Sequence, residues 1–359
     1  GRKRKRIGSE DVFGTFFQQL YNTADTVIVG HFIGKAALAS VGGSAAQIVN
    51  LIVGFFTGLA SGATVVIAQF FGAQDEHSVK ESLHTAYAFS ILGGILITIL
   101  GIVSAPYLLT WMNTPAELIA DSTMYLRIYF AGILFVFIYN IDSGILRAVG
   151  DSKNPLYYLI VCCFVNIVLD ILFVVTFKMG IAGAALATLI SQAVSAFLVT
   201  WKLMRSEDIL KLTIREIRLH ANVCRLQLRI GLPAGFQSIM YSLSNVLIQS
   251  ALNTFGTNTT AAWSVYGKLD ALFWMISGAI GISITTFVGQ NYGAKKYHRV
   301  WRSVRVCLGL DLLISLVLIV FLLAARIPLF GLFATDPEVI RIGSEMLALI
   351  TPCYIFFVF

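Results

Sequence analysis

Gln69-Phe70-Phe71-Gly72-Ala73 returns as Gln290-Asn291-Tyr292-Gly293-Ala294, 221 positions further along the chain. Other pairs keep nearly the same offset: Pro106 with Thr114-Pro115 against Pro328 with Asp336-Pro337, and Phe17-Gln18 against Phe236-Gln237. Self-similarity at a fixed offset marks a duplicated architecture. The chain is therefore read as two copies of one structural unit.

Of the 359 residues, 57% are apolar and only 13% charged, whereas soluble domains carry about 25% charged residues. A soluble globular protein is excluded, and an all-α polytopic membrane protein remains. A bilayer core about 30 Å thick needs roughly 20 apolar helical residues. Ten stretches qualify: residues 12–33, 43–71, 83–109, 123–146, 156–177, 181–203, 230–255, 259–289, 304–325 and 339–359. Six spans separate equivalent points of the two copies, so both copies cross the membrane in the same sense. That predicts two parallel-repeat six-helix bundles related by an axis along the membrane normal. Twelve spans are expected of the whole, about ten of them in this chain, since Phe359 is the counterpart of Phe137. The expected divisions are residues 1–205 (spans 1–6), a cytoplasmic linker over 206–229, and an incomplete second bundle over 230–359.

Short basic loops stay on the cytoplasmic side. With the N-terminus inside, 20 of the 26 Lys and Arg fall on that side: five in residues 2–6, Lys80, Arg147 with Lys153, seven over 202–229 and five over 295–305. The net charge of +7 is thereby explained without nucleic acid. The basic head precedes a span with polar residues inside it, which disfavours a cleavable signal peptide. In the linker, Lys211, Arg215, Arg218, Arg225 and Arg229 recur at intervals of three, four or seven opposite Leu210, Ile214, Ile217 and Leu228. This period predicts a helix lying on the anionic inner leaflet; a solvated linker carrying ordinary positive-inside charges is the alternative. The five cysteines have no metal-ligand spacing, so neither a disulfide framework nor a zinc site is expected.

A charged group at mid-bilayer costs at least about 2.5 kcal/mol, so each one needs a partner, a proton or a task. Gln18, Asn22 and Asp25 share one face of the first span, and Asn166 and Asp170 are one turn apart in the fifth. Thr188, Ser191 and Gln192 share a face of the sixth span, and Asn50, Thr57, Ser61 and Thr64 form a stripe on the second. The first copy thus encloses a polar pocket with two carboxylates. Held out of water, Asp25 and Asp170 can keep a proton between them and release it when the cavity wets. With Asn22, Asn166 and Thr188 the same oxygens also suit a hard cation such as Na+, held chiefly by Asp25, Asn166 and Asp170. The second copy differs: Ser238, Tyr241, Ser242, Asn245 and Gln249 line span seven without a carboxylate, while Lys268 and Asp270 lie near mid-depth in span eight. Tyr241, Trp263, Tyr266 and Trp274 form a candidate wall for flat aromatic cations, the alternative being ordinary packing. Asp142 and Arg147 are read as a structural pair, Asp311 stays unassigned, and Gly54, Gly58 and Gly62 form a double GxxxG for close helix packing.

Gln18-Gln19-Leu20-Tyr21-Asn22-Thr23-Ala24-Asp25, Ser143-Gly144-Ile145-Leu146-Arg147-Ala148-Val149-Gly150-Asp151, the Asn166/Asp170 pair and Gln290-Asn291-Tyr292-Gly293-Ala294 together resemble the multidrug and toxic compound extrusion (MATE) transporters, in particular their prokaryotic DinF-like branch. The resemblance runs from about Phe16 to Phe359. It implies a two-lobe exporter that exchanges H+ or Na+ for amphipathic, often cationic compounds by alternating between inward-open and outward-open states. In that branch a first-helix Asp, an Asn and an Asp of the fifth helix and a Thr of the sixth carry the coupling ion, matching Asp25, Asn166, Asp170 and Thr188. Gln18, Tyr241, Asn245, Trp263, Tyr266, Lys268 and Asp270 are the candidate substrate contacts. The charged head replaces the apolar residues and Pro that usually open the first helix, whereas the second copy retains Leu232-Pro233.

The expectation is thus a monomeric, multi-pass transporter of the cell inner membrane with a cytoplasmic N-terminus and no organic cofactor. A lipid-linked oligosaccharide flippase of related fold would want a strongly cationic cavity for pyrophosphate, and the spans offer essentially Lys268 alone. An intramembrane enzyme is disfavoured, because no HExxH, GxSxG or suitably spaced aspartate pair is present.

Overall fold

The computed structural model describes residues 13–358 apart from 15, 18–19, 21–24, 26, 35–36, 38–39, 42–43, 113, 207–208, 254, 256 and 333–335. Gln18 and Asn22, two of the expected pocket residues, lie outside the described residues. Helix dominates the described residues, and no strand occurs among them. In order come α1 (Ser44–Gly72), α2 (Glu76–Trp111), α3 (Ala116–Ala131), α4 (Ile133–Ala148), α5 (Lys153–Asp170), α6 (Gly180–Met204), α7 (Ala221–Asn253), α8 (Thr257–Gly293), α9 (Tyr297–Ala324), α10 (Arg326–Gly331), α11 (Pro337–Ile350) and α12 (Tyr354–Phe357). Ahead of α1, the described residues between Phe13 and Ile28 are helical and lead into a π-helical turn, Val29–Ile33.

Among the described residues, seven helical stretches are long and apolar enough to cross a membrane, or eight if α3 and α4 count as one span. Those two are bent by 45°. The expected single span over 123–146 is thus broken at Gly132, which sits between α3 and α4 with its Cα side against Leu189. The chain is a multi-pass membrane protein. The expected seventh span, 230–255, falls largely in α7, which starts at Ala221 and is not among those seven stretches.

Contacts divide the chain into two compact units, one comprising residues 1–242 and 289–295, the other 243–288 and 296–359. In the first, α4 is packed by α1, α2 and α6. Two apolar clusters fill it. One gathers Ile67, Leu83, Tyr87, Ile141, Ile145, Val199 and Leu203; the other gathers Ile28, Val29, Leu109, Tyr125, Phe130, Val174 and Ala184. The double GxxxG of α1 packs against α7: a Cβ at Gly58 would lie 2.6 Å from the Ala234 carbonyl carbon, and one at Gly62 would strike the Gln227 carbonyl oxygen. Gly231 and Gly235 of α7 meet Leu59 and Phe55 in return. Small residues on both faces let the two backbones touch.

The duplication is visible in backbone detail. Both copies of the Gln-x-x-Gly-Ala stretch end their helix with a residue in the left-handed region, Gln74 at φ 58° and Lys295 at φ 56°. In both, the amide of the following Ala donates to the Gln carbonyl, at 3.0 Å for Ala73 and 3.1 Å for Ala294. The two stretches also touch reciprocally: a Cβ on Gly72 would collide with the Gln290 backbone, and one on Gly293 with that of Gln69. Gln290 Nε2 then donates to the carbonyl of Ala148 at the end of α4 (2.6 Å).

The helix expected over the linker forms only toward its end, where residues 221–229, with Arg225, Leu228 and Arg229, open α7. Apart from one 3-10 turn, Ile214–Glu216, the described residues between 206 and 220 run as a strap along the start of α2. Leu210 and Leu212 are buried while Lys211 is exposed, a period of two that an extended chain produces. Backbone groups are paired elsewhere: Leu212 N–H donates to the Leu203 carbonyl (3.1 Å), Thr213 N–H to His84 Nε2 (3.1 Å) and His220 N–H to Thr85 Oγ1 (3.2 Å). These tertiary bonds outweigh the helical period of the basic residues.

The second unit is built around Tyr266, Leu269, Phe273, Ile319, Leu322, Phe330, Leu347 and Tyr354. Gly343 lets α11 close onto Phe330.

Candidate functional site

The fifth span begins as an α-helix and ends as a π-helical turn, Ile171–Thr176, immediately after Asp170. The other π turn, Val29–Ile33, begins four residues after Asp25, and the two turns pack against each other. A π turn inserts one residue per turn and re-aims the side chains beside it, which is why such turns accumulate at functional sites. Here both acids precede one.

The carboxyls of Asp25 and Asp170 are direct neighbours. Asp170 and Asn166 are fully buried, and Asp25 is largely so. Both oxygens of Asp170, both polar atoms of the Asn166 amide and Oδ1 of Asp25 are shut away from solvent without a hydrogen-bond partner among the described residues. Buried polar groups are otherwise almost always paired, so five such atoms on three adjacent side chains make this cluster the candidate site of the first unit. Tyr125 of α3 lies within electrostatic reach of both acids and stacks on Tyr129, ring centres 6.3 Å apart. The sequence reading missed Tyr125. Tyr125 and Tyr129 are four residues apart with Arg127 between them, a spacing that does not by itself point to the two acids. Thr188 is buried on α6 with its hydroxyl donating to the Ala184 carbonyl at 3.1 Å, which leaves its oxygen free to accept.

The candidate substrate residues fall differently. Tyr241 closes the first unit and is half exposed, while exposed Asn245 belongs to the second. In the second unit Tyr266 and Asp270 are one turn apart on α8 and belong to a saturated knot: Tyr354 Oη donates to Asp270 Oδ1, Trp274 Nε1 donates to Oδ2 at 2.9 Å, and the Tyr266 and Tyr354 hydroxyls are 2.9 Å apart. Trp263 stacks on Tyr266 at 5.0 Å and Phe273 on Tyr354 at 4.3 Å. The faces of these rings are largely taken by one another. Lys268 points to the exposed side of α8. Among the described residues no group of three or more His, Cys, Asp or Glu is arranged to hold a metal ion.

Of two other acids, Asp142 corrects the sequence reading and Asp311 gains a partner. Asp142 is not paired with Arg147: it is fully buried and accepts from Thr200 Oγ1 of α6 at 3.0 Å. Asp142 faces into the bundle, and the five residues separating it from Arg147 put the two on different sides of the helix. Asp311 of α9 accepts from Ser277 Oγ of α8 at 2.9 Å, with its other oxygen unpartnered.

A duplicated set of membrane-spanning helices, with paired carboxylates beside helical irregularities in the first copy, is the arrangement of parallel-repeat transporters. The MatE family model matches residues 12–172 and again 233–359, one match for each copy. A probable multidrug resistance protein of Bacillus subtilis, YoeA, is 32% identical over 337 residues, covering 92% of this chain and 72% of its own length. A second from that organism, YpnP, is 30% identical over 96% of this chain and 77% of its own. Among solved structures, a MOP superfamily transporter from Pyrococcus furiosus superposes with a TM-score of 0.90 at 23% identity, covering 99% of this chain and 79% of that one. The chain belongs to the MatE family, the multidrug and toxic compound extrusion transporters.

Proposed function

We propose that the protein is a secondary active exporter of the plasma membrane that moves amphipathic, often cationic compounds outward in exchange for H+ or Na+ moving inward, by alternating access, with its N-terminus cytoplasmic. Asp25 and Asp170, supported by Asn166, Thr188 and, from the sequence, Asn22, carry the coupling ion. The reading rests on the cluster of orphan buried atoms at Asp25, Asn166 and Asp170. Two ionised carboxylates side by side in such a place are uncompensated, and one cation shared between them offsets one of the two charges and separates the other from its neighbour. The printed names of YoeA and YpnP support a drug-like substrate. One proton crossing 100 mV releases about 2.3 kcal/mol, enough for a roughly 50-fold gradient of a neutral compound at 1.4 kcal/mol per decade.

The deciding experiment is dye efflux from proteoliposomes driven separately by a pH gradient and by a Na+ gradient. Asp25→Asn is expected to abolish efflux under whichever gradient drives the unaltered protein. Efflux at the unaltered rate would remove Asp25 from coupling.

A further inference from the structure

The first unit holds a buried acid at each end. Asp25 and Asp170 are neighbours of Tyr125, in the apolar cluster formed with Ile28, Val174 and Ala184; Asp142 lies beside Tyr87, Ile141, Ile145 and Val199 in the other cluster. Asp142 receives its hydrogen bond from Thr200, twelve residues beyond Thr188 on α6, about 18 Å at 1.5 Å per residue. On the orientation proposed above, its end of the unit is the cytoplasmic one.

The surroundings of Asp142 are uncharged on every side. From α6 comes the Thr200 hydroxyl, donating to Oδ2 at 3.0 Å; from α2 comes the Tyr87 hydroxyl, 3.3 Å from Thr200 Oγ1 and therefore donating to it. From α1 the nearest approach to this stretch of α4 is the Thr64 hydroxyl, at Gly144. Along α4 itself Ser143 is buried and its hydroxyl unpartnered. No Lys, Arg or His among the described residues makes an ion pair with Asp142, and its Oδ1 is buried without any partner. A carboxylate so placed is an isolated buried charge, which costs several kcal/mol. Oδ1 is also the one atom of the group with room to change state, because Oδ2 is held by the hydroxyl chain.

We propose that Asp142, oriented by Thr200 and Tyr87, is a second proton-binding site on the cytoplasmic side of the Asp25–Asp170 pair, and that it accepts the proton which that pair discharges before the proton leaves to the cytoplasm. The transfer breaks one O–H bond at Asp25 or Asp170 and forms one at Asp142 Oδ1, with water admitted into the first unit as the carrier over the roughly 18 Å between the two levels; loss of that proton to cytoplasmic water restores the carboxylate. The relay role rests on the coupling assigned to Asp25 and Asp170, whereas proton binding at Asp142 stands on its own surroundings.

Two measurements on the full-length protein separate these. Infrared difference spectra across a pH jump are expected to show a carboxylic-acid carbonyl band that disappears in Asp142→Asn, persists in Asp25→Asn and shifts in Thr200→Val. In proteoliposomes containing a pH-sensitive dye, Asp142→Asn is expected to slow substrate-driven proton movement by about 100-fold, with substrate binding, read by intrinsic tryptophan quenching, unchanged and Asp142→Glu restoring the rate. If no band is lost in Asp142→Asn, the site is refuted. If the band is lost but proton movement keeps its unaltered rate, the relay is refuted. Should Asp142→Asn fail to fold, the Thr200→Val shift decides the matter alone, an unshifted band refuting the site. Failure of the Asp25 assignment would appear instead as unaltered efflux in Asp25→Asn with the Asp142 band intact.

Discussion

Asp170 in the first unit and Asp270 in the second are both carboxylates within long apolar spans, and they live in opposite circumstances. Asp270 has donors on both oxygens, from Tyr354 and Trp274, with Tyr266 completing the ring of hydroxyls. Asp170 is fully buried beside a second carboxyl with neither oxygen satisfied among the described residues. The difference teaches how to tell a structural acid from a working one inside a membrane. An acid saturated by fixed donors holds helices together and has nothing left to offer a ligand; an acid without donors keeps both oxygens available to one.

That contrast is open to breakage in four ways. The largest effect is expected from Asp170→Asn, which removes the uncompensated charge: gradient-driven efflux should fall by about 100-fold or more, while the thermal melting temperature stays level or rises. A melting temperature that fell would show that Asp170 is structural after all. Asp270→Ala should do the reverse, lowering stability by about 3 kcal/mol because its donors are left unpaired in the bundle, as read from the melting midpoint in detergent. Tyr354→Phe removes one of those donors and keeps the ring stacked on Phe273, so a smaller loss of about 1 to 2 kcal/mol is expected in the same assay.

The smallest effect belongs to an acid outside the membrane. Asp75 caps α2 by accepting from Ser78 through its side-chain hydroxyl and its backbone N–H, and these bonds hold the Asp75 carboxyl below its usual range. A depressed value means that the cap's contribution is present above the unfolded-state value and is lost as pH falls through the folded-state one. Asp75→Ala should therefore lower the melting temperature slightly at neutral pH and not at all in strong acid; an equal loss at both would separate the cap from its charge.

Much of this was legible in the sequence because repetition is legible. The offset of 221 announced two copies, and the structure returns the same helix ending at Gln74 and Lys295. Glycines four apart on α1 announced a close helix contact, and α7 supplies it with its own. Spacing within one helix also put Asn166 and Asp170 on one face. Relations across helices were not legible. Nothing in a tyrosine-bearing apolar span marks Tyr125 as the neighbour of two acids, and nothing next to Arg147 tells that Asp142 turns instead toward Thr200. The linker misled for a related reason: its basic residues keep a helical period, but the groups that decide its course, His84 and Thr85, are more than 100 residues away in the chain.

The meeting of Gly72 with Gln290 and of Gly293 with Gln69 has the reciprocity of a two-fold homodimer interface, in which residue i touches j and j touches i. The contact is made of main chain rather than side chains, so it has no rotamers to adjust. It parts only when whole helices move, and any side chain larger than hydrogen at either glycine wedges it open.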